Sequence, residues 1–164
     1  MSRVQLALNV DNLDEAVVFY SKLFGAEPAK RKQGYANFAI AEPPLKLVLI
    51  ENPGRGGSIN HLGVEVESSE RVHAEIARLT DEGLFTREQI GTTCCFATQD
   101  KVWVSGPAGE QWEVYTVLAD SETFGTSPEL LAADPAGGCA CDTAERAEPS
   151  GTKRNRPATA AACC

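Results

Sequence analysis

The feature that most constrains this chain is an internal repeat: the same order of patterns is read twice. Residues 4–10 alternate, with Val4, Leu6, Leu8 and Val10 on one side and Gln5, Ala7 and Asn9 on the other. A two-residue period predicts a strand with one buried face. Asn12, with Glu15 three residues on, reads as a helix start, and Ala16, Tyr20, Leu23 and Phe24 keep helical spacing up to a terminating Gly25. Residues 35–40 and 45–50 read as strands separated by the Pro43-Pro44 turn. The order then repeats. Residues 59–66 alternate, with Leu62, Val64 and Val66 opposite His61, Gly63 and Glu65. Ser68 or Ser69 caps a helix whose stripe is Val72, Ile76 and Leu79, closed by Gly83. Strands are expected at 93–98, 102–105 and 111–117, with a Gly106-Pro107-Ala108-Gly109 turn before the last.

The repeat predicts an α+β domain over residues 1–120. Module one covers 1–52, a linker 53–58, and module two 59–120. Each module is of βαβββ type. Together they form one curved mixed sheet with the helices outside. The strand phase then turns Gln5, His61 and Glu113 away from the helices, into a shared concavity. Beyond residue 121 no apolar face recurs, and residues 121–164 read as a flexible tail.

Composition bounds the partners. A net charge of −8 argues against nucleic acid and anionic membrane. No stretch is long and apolar enough to span a bilayer, and the N-terminus lacks a signal-peptide core, so a cytoplasmic location is expected. The six cysteines fall as Cys94-Cys95, Cys139-Ala140-Cys141 and Cys163-Cys164. In a reducing compartment such pairs suit soft metals and metalloids better than a disulfide framework.

Of the two histidines, His73 lies off its helix stripe and reads as a solvated surface residue. His61 sits at the inward phase of its strand, and Gln5 holds the equivalent place in module one. Glu113 lies on the last strand, with Trp112 and Val114 on the opposite face. An inward carboxylate needs a partner, and a divalent cation meets that need for all three groups. One imidazole, one carboxylate and one amide oxygen leave open positions on an octahedral ion. Tyr115 shares the inward phase and reads equally as pocket lining or as a core-edge aromatic. Adjacent cysteines on a regular strand face opposite ways, so Cys94 and Cys95 reach one atom only where the backbone departs from strand geometry. The Gly91-Thr92-Thr93 approach is expected to supply that departure. Asp100-Lys101 is expected as a neighbouring turn, with Lys101 a candidate for gating or thiolate stabilisation.

The layout resembles the vicinal-oxygen-chelate superfamily, the glyoxalase and extradiol dioxygenase relatives. Within it, the stretch from Ile90 to Val104, with Thr93-Cys94-Cys95-Phe96 at its centre, is similar to the organoarsenical carbon–arsenic lyases and the cadmium-induced proteins of actinobacteria. The opening Val4-Gln5-Leu6, the Asn60-His61-Leu62 strand and Trp112-Glu113-Val114-Tyr115 match as well. The resemblance implies metal ligands at Gln5, His61 and Glu113 and substrate thiols at Cys94 and Cys95. It implies Fe(II)- and dioxygen-dependent cleavage of the carbon–arsenic bond in trivalent organoarsenicals, methyl or aromatic. Nickel, cobalt or manganese are alternative occupants of the metal site. The protein is expected to act as a monomer or homodimer. A trivalent arsenical R–As has two exchangeable ligands, so two thiolates suit it, whereas inorganic arsenite prefers three. Two rivals stay open: a cadmium- or arsenic-sequestering protein without turnover, and a glyoxalase-like isomerase or hydrolase, which has no need of adjacent cysteines. A role for the tail cysteines in handing metalloid on is a further expectation, from thiol spacing alone.

Overall fold

The structure is a computed structural model, and it describes residues 2–123 and Gly125. Of the expected tail, Ser121, Glu122, Thr123 and Gly125 are described, and its cysteines, Cys139, Cys141, Cys163 and Cys164, lie outside the described residues.

Module one runs β1 (Arg3–Val10), α1 (Leu13–Phe24), β2 (Lys30–Lys32), β3 (Tyr35–Ile40) and β4 (Leu45–Glu51). Module two runs β5 (Ile59–Glu65), α2 (Ser69–Asp81), β6 (Thr86–Cys94), β7 (Ala97–Ser105) and β8 (Gln111–Asp120). The order βαβββ therefore holds in both. The strands form one mixed sheet, β2-β3-β4-β1-β5-β8-β7-β6. The first strands of the two modules meet antiparallel at its centre, and each pairs parallel with the last strand of its own module.

Local chemistry sets the helix ends. The Asn12 side chain accepts from the Glu15 N–H, and Gly25 closes α1 in the left-handed region. The Ser68 side chain accepts from the Arg71 N–H at the start of α2. On the outer face, Leu6, Leu8 and Val10 of β1 join Phe38, Leu47 and Leu49 against Leu13 and Val17 of α1. The inner face is also closed. Ala7, Val48 and Tyr35 pack there against Phe96, carried on the tip of the β6–β7 hairpin. The sheet has curled until its far hairpin covers module one.

That curl revises three expectations. Val4, expected on the buried face, is exposed, while Gln5, Ala7 and Asn9 on the opposite face are buried. A one-sided strand pattern does not report a face covered by a distant hairpin. The expected strand over 93–98 is instead a turn: Cys94 pairs with Ala97, and Cys95 and Phe96 lie at φ 54° and 62°. Positive φ at both central residues matches the right-handed twist of the flanking strands. β2, a short Lys-Arg-Lys edge strand, was not expected, because three charged residues carry no apolar period.

Candidate metal centre and thiol pair

Gln5 on β1, Gly63 on β5 and Glu113 on β8 stand in register across three adjacent strands. His61 lies two residues from Gly63 on the same face. Gln5, His61 and Glu113 are each 3% exposed. The Gln5 side-chain nitrogen is 3.0 Å from His61 Nε2 and 2.8 Å from Glu113 Oε1, and His61 Nε2 is 3.4 Å from Glu113 Oε1. Gly63 permits this approach. A Cβ there would lie 3.0 Å from Glu113 Cγ, 3.3 Å from the Glu113 carbonyl and 3.4 Å from Gln5 Cβ.

Each donor is oriented by a neighbour. Asn60 Nδ2 donates to Asn9 Oδ1, which turns Asn60 Oδ1 toward His61 Nδ1 at 2.8 Å. With its proton on Nδ1, His61 presents the Nε2 lone pair to the cluster. Tyr115 OH donates to Gln5 Oε1 at 2.5 Å. Trp103 stacks edge-on against the His61 ring, with centroids 5.5 Å apart.

The triangle suits a divalent ion. Ligands at about 2.1 Å on adjacent octahedral positions lie about 3.0 Å apart, close to the three separations found. The Gln5 amide here turns its nitrogen to the centre and its oxygen to Tyr115 OH, so presenting oxygen as a ligand requires the amide to rotate and Tyr115 OH to accept from its nitrogen instead. With oxygen inward, three acceptors converge on one point, and a cation relieves their repulsion.

Lys101 supplies a cation of its own. It was expected in a turn but lies in the middle of β7, fully buried, its ammonium 2.9 Å from Glu113 Oε2. A carboxylate on the neighbouring strand neutralises it, so an Asp-Lys pair that reads as a turn is instead a buried strand segment. The other half of the pair, Asp100, accepts from the Gly91 N–H at 2.7 Å and from Ser69 Oγ at 2.5 Å. Burial pushes the Glu113 carboxyl upward, but the Lys101 charge, the close contact with His61 and the hydrogen bond from Lys101 hold it at about 2. Burial lowers Lys101, and the facing Glu113 carboxylate more than offsets it, so the lysine stays charged.

The thiols lie at the tip of the covering hairpin. Cys94 Sγ and Cys95 Sγ are 3.4 Å apart. The departure from strand geometry that brings them together is the left-handed turn at Cys95-Phe96. The expected source, Gly91 at φ 62°, instead marks a register shift within β6. The contact with Cys94, then burial, pushes the Cys95 thiol well above its ordinary range. Gln5, Glu113, Lys101, Cys94 and Cys95 line one small closed cavity. Of the five residues singled out in the sequence, Gln5, Glu113, Cys94 and Cys95 line this cavity, His61 meets Gln5 and Glu113 behind its wall, and His73 is exposed on α2.

Sequence reasoning passed over Asn60, Gly63, Lys46 and Gln99. Lys46 carried a signal, since it breaks an apolar run at the inward phase of β4. The others become legible only once strands are paired.

Comparison with known proteins bears on the family and the fold. Residues 3–114 match the family model described as Glyoxalase/Bleomycin resistance protein/Dioxygenase superfamily. The chain is 79% identical over 128 residues to "Cadmium-induced protein CadI" of Mycobacterium tuberculosis, covering 78% of this chain and 84% of that one. It is 56% identical over 136 residues to "Trivalent organoarsenical cleaving enzyme" of Thermomonospora curvata, covering 82% and 90%. Its fold is similar to that of the Mn(II)-bound glyoxalase from Novosphingobium aromaticivorans, with TM-score 0.54 at 18% identity over 78% of this chain and 44% of that one. With two modules paired around a buried donor cluster and a family model matched across both, the chain belongs to the glyoxalase, bleomycin resistance protein and dioxygenase superfamily.

Proposed function

We propose that this chain cleaves the carbon–arsenic bond of trivalent organoarsenicals in an Fe(II)- and dioxygen-dependent reaction that releases inorganic arsenite. The observation that carries the reading is the shared cavity, in which an adjacent thiol pair meets the Gln5–Glu113 side of a metal-ready cluster. The relatives named for organoarsenical cleavage support the same chemistry.

Capture comes first. The two thiols exchange for the two hydroxyls of R–As(OH)₂, forming two As–S bonds and releasing two waters. Sulfurs 3.4 Å apart are close enough for one arsenic to bridge. The turn at Cys95-Phe96 fixes them before substrate arrives, so little ordering remains to be done on binding. The Lys101 charge works against the rise that the Cys94 contact and burial impose on the Cys95 thiol, but as the smallest of those effects. Gln5, His61 and Glu113 hold the metal. Bound Fe(II) supplies the site at which dioxygen is activated. Trp103 and Tyr115 keep bulk water from the cluster. All five site residues come from one chain, so a single subunit suffices, and free thiols suit the reducing cytoplasm. The domain that does this is residues 1–120, its thiol turn capped from beyond β8 by Ser121 and Gly125.

The relative named as cadmium-induced favours a second reading, sequestration of soft metal or metalloid without turnover. One experiment separates them. The full chain is loaded anaerobically with Fe(II) and given trivalent methylarsenical with and without dioxygen. Arsenite release that needs both supports the enzyme. Binding without release under every condition rejects it in favour of sequestration.

A further inference from the structure

The small cavity shares a wall with a second, larger cleft. Tyr35, Lys46, Cys95 and Gln99 line both the cavity and this outer cleft of about 290 Å³. The inner cavity has only about 10 Å³ of free room, so a ring attached to arsenic at the thiols must extend into that cleft.

Two features of the shared wall lack adequate partners. Gln99 is 5% exposed, and its side-chain oxygen is buried without a hydrogen bond. A buried amide oxygen with nothing to bond is costly unless something else fills the gap. Lys46, 9% exposed, is the second. It stands in register with Gln5 on the neighbouring strand. Its ammonium reaches Glu65 only at 3.5 Å and otherwise lies over the Tyr115 ring at 4.9 Å. The Glu65 carboxylate is already held by Arg3, at 2.9 and 3.2 Å, and by Tyr115 OH at 3.2 Å. Arg3 and Lys46 thus share the Glu65 carboxylate, and Glu113, which also acts on Lys46 across the inner cavity, is held by Lys101 at 2.9 Å, so three cations meet two carboxylates and one positive charge is in excess. The rim cation, Lys30, is paired with Asp120.

We propose that the outer cleft is a subsite for the organic group of the arsenical, and that Lys46 with the Gln99 amide selects an aryl ring carrying an anionic oxygen, such as a carboxylate or phenolate. Such a group would neutralise the excess charge on Lys46 and accept from the amide of Gln99, whose two ends interchange by rotation. The inference rests on the reading of Cys94 and Cys95 as arsenical binders.

The test uses the full chain, metal-free and anaerobic, so that turnover plays no part. Trivalent phenylarsenicals bearing a ring carboxylate are compared with their carboxamide isosteres, in 3- and 4-substituted forms, by competition with a small dithiol. The carboxylate forms should be captured about tenfold more tightly, and the advantage should shrink with added salt. Lys46→Met should bring the ratio to about one, and Lys46→Arg should keep it. Equal capture of both isosteres by the unsubstituted chain overturns the subsite and leaves the thiol reading standing. So does a Lys46→Met chain that keeps the full ratio. Capture of neither arsenical overturns both. The comparison in the unsubstituted chain decides even where a variant does not fold.

Discussion

At the scale of single residues, Gly63 and Lys101 decide what the donor cluster can hold. Gly63 separates Gln5 from Glu113 along a row of paired strands, and the space its missing side chain leaves is what lets those two side chains meet. In Gly63→Ala the new methyl would press on Glu113 Cγ at 3.0 Å, and the Glu113 side chain would have to give by a few tenths of an ångström within the cluster. Divalent-metal affinity should fall by about 10- to 100-fold, the range seen when groups that orient ligands are disturbed. Titration with Co(II) or Mn(II) followed by spectroscopy checks this, and unchanged affinity would refute the role given to Gly63. Lys101 acts on the same carboxylate from the other side. Lys101→Met takes from buried Glu113 the ammonium that hydrogen-bonds it, which should cost about 3–5 kcal/mol in the metal-free chain. A divalent ion should restore more stability to this variant than to the parent, since it supplies the missing charge. Thermal melts with and without Mn(II) measure both effects. A larger metal-induced gain in the parent would contradict the account.

At the scale of elements, the β6–β7 hairpin holds the reactive part of the molecule at a strained turn. Cys95 and Phe96 both sit in the left-handed region, where residues with a Cβ cost of order 1 kcal/mol each or more. Phe96 offsets this by packing on Tyr35, with ring centroids 5.5 Å apart. Phe96→Gly should ease the turn yet lose that packing, for a net loss of about 2–3 kcal/mol and weaker arsenical capture. Urea melts read the first and dithiol competition the second. The turn also sets a pH dependence. The contact with Cys94, then burial, raises the Cys95 thiol well above 9.0, so folding keeps a proton there that the unfolded chain gives up. This contribution to stability is present below pH 9 and is lost as the pH climbs further. At pH 8, iodoacetamide should therefore modify Cys95 more slowly in the native chain than in urea, by more than about tenfold. Equal rates would show that the thiol is not held as described. The sequence carries part of this. An adjacent cysteine pair demands broken strand geometry, and that demand is visible in Cys94-Cys95 itself. The place of the break is not visible, because Cys-Phe has none of the Asn-Gly chemistry that marks such turns. Only pairing of β6 with β7 along their length forces it there.

At the scale of the whole molecule, the repeat is the most legible feature of the chain. Strand period, helix caps and stop glycines recur in each half, and they place Gln5, His61 and Glu113 at one inward phase. What the period does not carry is the closure between halves, which depends on charged edge segments without apolar pattern. Lys30 on β2 donates to the Phe96 carbonyl at 3.1 Å and pairs with Asp120 at the end of β8. Lys32 pairs with Glu122 at 2.7 Å. Exposed pairs of this kind stabilise little individually, so the backbone contacts beside them matter more. The Ser121 N–H donates to the Phe96 carbonyl at 2.9 Å, and the Cys95 N–H donates to the Gly125 carbonyl at 3.0 Å. The segment after β8 therefore satisfies the backbone of the thiol turn itself. Gly125 also packs so closely on the Thr93 carbonyl that a side chain there would collide with it. Turn capping and metalloid hand-off are thus separable roles for the residues beyond β8. A chain ending after Asp120 leaves the Cys95 N–H without its partner and should lose about 1–3 kcal/mol, with weaker arsenical capture. A chain ending after Gly125 should melt and capture arsenical as the full chain does. If the cysteines beyond it hand arsenical to the site, the Gly125-ended chain should still turn over more slowly than the full chain at low arsenical concentration. Equal rates would reject hand-off while leaving the turn-capping role intact. Equal melting of the Asp120-ended and Gly125-ended chains would reject the turn-capping role instead.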